Sequence, residues 1–135
     1  MDFATFVRDA ILNGFFKNVA FPTPSATLYL ALYSSDPGRD GTGGTDITTS
    51  IVAAGRVAIA STVWSAIIAN GNARRISNSA SLALGNASTS ITNTHIGLWT
   101  AASGGNFIGR GVSPFTTTAG QPYTIAVGAL VIELP

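Results

Sequence analysis

The sequence predicts an all-β protein: an antiparallel β-sandwich with one short N-terminal α-helix, a jelly roll being one way to connect it. Three observations predict this. A helical apolar period occurs only within residues 1–18. Beyond Pro24 the apolar residues recur at two-residue spacing, in short runs separated by Gly, Pro, Asn and Asp. The 135 residues hold no linker and no internal repeat, so residues 1–135 are expected to fold as a single domain.

In the N-terminal helix, expected over residues 1–18, Phe3, Phe6, Val7, Ala10, Ile11 and Phe15 fall three and four apart and line one face. Asp2 is placed to cap the first turn and to favour its positive end. Asn13-Gly14 weakens the tail, and Pro22 and Pro24 forbid continuation. A fully buried Phe contributes about 1.5–3 kcal/mol. Phe3, Phe6 and Phe15 are therefore expected to anchor the helix, either closing the base of their own sandwich or packing at an interface.

The run "TLYLALYSS" puts Leu28, Leu30 and Leu32 on one side and Tyr29, Ala31 and Tyr33 on the other, as a strand does. "SDPGRDGTGGTD" has no apolar period and is a loop. Further strands are expected at 47–59, 62–69, 73–78, 81–84, 94–100, 107–115 and 123–134. Asn70-Gly71-Asn72 marks a tight hairpin between the second and third of these. The last, "YTIAVGALVIEL", is apolar on both faces, which predicts a central strand or one covered by a partner.

Charge bounds the function. Charged residues make up 10% of the chain and the net charge is +1, where an ordinary soluble protein carries about 25%. Little self-repulsion then opposes contact, which predicts a chain packed against copies of itself or a larger body. No apolar run approaches the roughly 20 residues of a membrane-spanning helix. Asp2 and Asp9 stand where an export signal needs a basic start, so neither membrane insertion nor that export route is expected. Arg74 and Arg75 point to opposite faces of a strand and the other basic residues are scattered, so no nucleic-acid partner is expected.

The stretch "HIGLWTAASGGNFIGRG", residues 95–111, holds the only histidine. On a strand, His95, Gly97 and Trp99 share one face, and Ile96 and Leu98 the core-facing other. If Gly104-Gly105 form a two-residue turn, Trp99 lies opposite Arg110 and can stack on its guanidinium; a longer turn through "AASGGN" shifts that register. Catalysis by His95 with Ser103 as nucleophile lacks a carboxylate nearby in sequence and lacks the G-x-S-x-G elbow, so no enzyme is expected. With no cysteine and one histidine, no zinc or iron centre and no cofactor is expected. Residues 36–46 carry Asp36, Asp40 and Asp46 but lack the closing glutamate of a calcium loop; a solvated loop is expected, with an ion site left open. Trp64, Trp99 and the tyrosines offer stacking faces for carbohydrate, although aromatics buried in a sandwich core are commoner.

The order of a short helix, "LYLALYSSDPG", "GRVAI", "THIGLWTAASGGNFIGRG" and "YTIAVGALVIEL" resembles a group of small virion proteins of tailed bacteriophages, the tail-fibre and capsid decoration proteins. The shared motifs lie at residues 28–37 and 94–106. The resemblance implies a β-sandwich that trimerises. The first expectation is a homotrimeric cement protein on the outer capsid, partnered by the major capsid protein. The second is a distal fibre tip that binds a host-surface glycan or receptor. It ranks second because a fibre tip is expected on a long shaft, which here would be a separate partner protein. Phe3, Phe6, Phe15, Trp99 and Arg110 are the expected interface residues.

Overall fold

The computed structural model describes residues 1–134. Its elements are β1 (Asp2–Phe3), α1 (Thr5–Lys17), β2 (Thr27–Tyr33), α2 (Thr48–Ile51), β3 (Val57–Ala60), a 3-10 turn (Ser61–Val63), β4 (Ile68–Asn70), β5 (Ala73–Ser77), β6 (Leu82–Asn86), β7 (Thr92–Trp99), β8 (Phe107–Thr116), β9 (Pro122–Ile125) and β10 (Val131–Leu134). The strands form antiparallel sheets in the orders β1-β8-β7-β2-β3, β10-β5-β4 and β6-β9. Leu30, Leu32, Ile59, Ile96 and Leu98 of the five-stranded sheet meet Leu82 and Leu84 of β6, Ile47, Ile51 and Leu130 in one buried cluster. Trp64, Tyr123, Ile125 and Ile132 pack around it, so the smaller sheets cover the inner face of the large one. The fold is an all-β sandwich with one N-terminal helix.

Four sequence expectations change in the structure. The helix begins at Thr5, and its N-cap is Ala4 with no side-chain cap bond. Asp2 and Phe3 instead pair with Arg110 and Gly109 of β8, so Asp2 caps nothing and Phe3 leaves the helical face. A strand partner and arginines around Asp2 outcompete a single cap bond. Second, the phenylalanines do not bury α1 in its own sandwich: none of its residues is fully buried, and Phe15 is among the most exposed apolar residues. Its end is orthodox. Asn18 adopts a left-handed conformation and its amide donates to the Asn13 carbonyl.

Third, residues 47–59 are not one strand. The Asp46 carboxylate accepts from the Thr48 amide at 2.8 Å and winds the single helical turn α2, and Gly55 at φ +90° turns the chain into β3. Likewise only Ile68–Asn70 of the run at 62–69 is strand. Fourth, residues 123–134 split into β9 and β10, which belong to different sheets, and β10 lies at an edge rather than in a centre. Buried Asn78 explains the break. Its amide donates to the carbonyls of Ala80 (2.8 Å) and Ala126 (2.9 Å), and its oxygen accepts from the Leu130 amide (2.9 Å), tying the turn at Gly128 to the end of β5. The Asn-Gly hairpin stands as read: Asn70 pairs with Ala73 around Gly71 at φ +60°.

Candidate functional site

The register of β7 sets what the outer face of the large sheet displays. His95 pairs with Tyr33 and Val112, and Gly97 with Ala31 and Arg110, while Arg110 also pairs with Asp2. Two side-chain groups result, one aromatic and one charged.

The aromatic group centres on Trp99. Its indole N–H donates to the Tyr33 hydroxyl at 3.0 Å, and its ring lies 5.0 Å from that of Phe107. Gly41 of the 34–47 loop lies against both rings, where a Cβ would come within 2.8 Å of either. Burial pushes the Tyr33 phenol above its ordinary pKa, against the opposing pull of the Trp99 donor. The guanidinium of Arg56 covers the ring at 4.1 Å. The same Arg56 donates to the carbonyls of Ala101 (2.8 Å) and Gly104 (2.9 Å), which fastens the hairpin tip to the edge strand β3. Trp99 pairs with Phe107, so the hairpin turns through residues 100–106 and the two-residue turn does not form. Arg110 accordingly falls opposite Gly97, away from the Trp99 ring, and the cation over Trp99 is Arg56. Nothing in the sequence around Arg56 signalled this contact, which depends on β2 bridging β3 and β7.

The charged group is built on Asp2. Arg8 donates to it at 2.7 Å, Arg110 at 3.3 Å, and Arg39 lies at 3.5 Å. Arg110 also donates to Asp36, whose carboxylate accepts from the Gly38 amide at 2.9 Å. Desolvation raises the Asp2 pKa, but Arg39, Arg110 and Arg8 together outweigh it and hold the carboxyl below its ordinary value. The Gly38 amide and Arg110 lower that of Asp36. Asp2, Asp36 and Arg110, together with Met1, His95, Gly111 and Val112, line a cavity of about 340 Å³. The structure thus brings to His95 two carboxylates remote in sequence.

The groups around His95 are already engaged with one another and with the backbone. His95 Nδ1 is engaged by the neighbouring Thr94 hydroxyl at 2.8 Å, and both carboxylates already bind arginine. The other acids of the loop are occupied too. Asp40 accepts from the Thr42 amide and hydroxyl, and Asp46 from Thr48. Among the described residues no group of three His, Cys, Asp or Glu side chains is placed to hold a metal ion.

The second candidate surface is α1 itself. Leu12, Phe15, Phe16, Val19 and Phe21 are exposed, with the Phe15 and Phe21 rings edge to face at 5.4 Å. Half-buried Phe6 faces a groove of about 400 Å³ between α1 and the sheet, shared with Ile11, Phe21, Leu28 and Ile108. Of the expected interface residues, Phe6 and Phe15 thus lie on α1, Phe3 on β1, and Trp99 and Arg110 in the two separate groups of the outer face.

No curated protein matches the chain. Residues 2–133, all but the ends, match the family described as podophage GP4 fiber I protein gp80. The chain therefore belongs to that family, a small tail-fibre type of tailed-phage protein, and is a structural protein of a bacteriophage virion.

Proposed function

We propose that the chain is a component of the phage tail fibre and acts by protein–protein contact rather than by turnover. The observation that carries this is the division of the molecule. A closed sandwich, whose buried side-chain polar atoms all have partners among the described residues, carries a helix whose Leu12, Phe15 and Phe16 its own core leaves exposed. Contiguous exposed apolar surface of this kind is the mark of an interaction site. The family's description favours the fibre over the capsid shell, which was the first expectation from sequence. The partners in this reading are fibre or other tail components together with further copies of the chain, a homotrimer being what the resemblance implies. A host-surface glycan would not stack on Trp99, because Arg56, Phe107 and Gly41 already occupy that ring.

Particle labelling tests the proposal. A short epitope in the exposed loop near Gly120 should direct antibody to the tail appendages, with a copy number typical of fibres. Labelling spread over the shell, at a copy number comparable to the major capsid protein, would overturn it in favour of the cement role.

A further inference from the structure

We infer that Asn70 is a site of covalent self-modification: attack by the Gly71 backbone nitrogen expels its side-chain amide as ammonia, leaves a carboxylate facing Glu133, and loosens β4. The inference is independent of the fibre assignment.

The chemistry needs only water. The Gly71 amide gives up its proton and its nitrogen bonds to Asn70 Cγ, closing a cyclic imide. The carboxamide nitrogen departs with that proton as ammonia. Water then adds to one of the two imide carbonyls. Opening at one gives an aspartate on the normal backbone, and opening at the other routes the chain through the side chain as isoaspartate. No electrons are transferred.

Access and contrast place the reaction at Asn70. Asn70 ends β4, all of whose residues are exposed, and Gly71 at φ +60° has nothing within 4 Å of where a Cβ would sit. No side chain shields the attacking nitrogen. A short strand of exposed residues belongs to the least stable parts of a fold, so the backbone rotation that the imide needs is within reach. The other Asn-Gly pair, Asn13-Gly14, lies inside α1, where the Gly14 amide is tied to the carbonyl four residues before it. The Phe21 ring covers Gly14, with ring carbons 2.5 Å from the position a Cβ would take. The Asn13 carbonyl also accepts from the Asn18 and Val19 amides. Reaction there requires unwinding the helix.

The surroundings give the change a consequence. Asn70 Nδ2 donates to Glu133 Oε2 at 2.7 Å, and the same oxygen accepts from Arg75 Nε at 3.1 Å. Since β5 lies between β4 and β10, this amide ties the two outer strands of the sheet together. Conversion replaces the donor by a second carboxylate, and two acids then compete for Arg75. Isoaspartate also adds a backbone carbon at the Asn70–Ala73 pair that closes the hairpin. Either product cancels the chain's net charge of +1. A virion subunit is not replaced after assembly, so the change accumulates with particle age.

The test incubates the purified full chain in warm, mildly alkaline buffer and follows each asparagine by peptide mass spectrometry. Conversion at Asn70 should give both aspartate and isoaspartate and should accelerate with pH. It should run roughly tenfold or more faster than at Asn13, where the helix must open first. A chain whose Asn70 stays intact, or whose Asn13 converts as fast, overturns the inference. Asn70→Gln should suppress the acidic form that ion-exchange chromatography separates on ageing, because its longer side chain closes a ring far more slowly. Undiminished appearance of that form overturns the assignment to Asn70. Amide exchange in aged wild-type chain should rise at residues 67–71 and stay unchanged in β2. Unchanged exchange at 67–71 in converted chain overturns the loosening of β4.

Discussion

Arg56 lies over the ring of Trp99 at 4.1 Å and, with the same guanidinium, holds the carbonyls of Ala101 and Gly104. One side chain therefore fixes both the aromatic group and the hairpin tip. Arg56→Ala should cost about 1–2 kcal/mol, from a cation–π contact and charge-assisted hydrogen bonds in a partly exposed setting. Denaturant unfolding measures the loss. Amide exchange at residues 101–105 should rise more than in the core strands. Arg56→Lys should rescue only part of it, because an ammonium cannot stack and fork at once.

Gly41 has φ +75° and lies against Phe107 and Trp99. Gly41→Ala meets both a left-handed backbone and two rings it would have to displace. A loss of about 1–3 kcal/mol is expected, with a shift in tryptophan emission as the rings move. Gly120→Ala also sits at positive φ, but with open space around its Cβ, and should cost less and leave the emission unchanged.

Asn78 is buried and makes three hydrogen bonds to the backbone of its own turn and of the turn between β9 and β10. Asn78→Ala leaves the Leu130 amide and the Ala126 carbonyl short of a partner, at about 2–4 kcal/mol. Thermal melts would show it. Ser79→Ala, one residue away and exposed, should cost far less.

Acid should destabilise the fold through the carboxylates. The pKa of Asp2 is lowered by its arginines despite desolvation, that of Asp36 by the Gly38 amide and Arg110, and that of Glu133 by Asn70 and Arg75. A carboxyl with a depressed folded pKa contributes stability above its unfolded value of about 4, and loses it as pH falls through the folded value. Stability should therefore be flat from neutral pH down to about pH 5 on this account and fall below about pH 4. Asp2→Asn should flatten the acid limb, which acid titration of the melting temperature would reveal. An unchanged limb would remove Asp2 from the explanation.

His95→Ala should leave assembly and adsorption of particles intact, since the His95 side chain hydrogen-bonds only its neighbour Thr94 among the described residues. Loss of infectivity with normal particle assembly would restore a direct role for the imidazole.

The local sequence determined a good deal by itself. Two-residue alternation specified β2, β7 and β8 nearly to their ends, Asn70-Gly71 specified a hairpin, and Pro22 with Pro24 closed off the helix. Those features depend on neighbours in the chain, through backbone sterics and the period of side-chain direction. Only tertiary structure decided that Asp2 joins a strand, that 123–134 breaks to serve two sheets, that Arg56 rather than Arg110 covers Trp99, and that α1 keeps Phe15 and Phe16 outside. Each of these is settled by a partner distant in sequence: β8 for Asp2, Asn78 for the broken strand, β3 beside β2 for Arg56. Periodicity records which side chains share a face. It carries no information about what lies across from that face, and for α1 the sandwich half-covers Phe6, Val7 and Ala10 while leaving Leu12, Phe15 and Phe16 exposed.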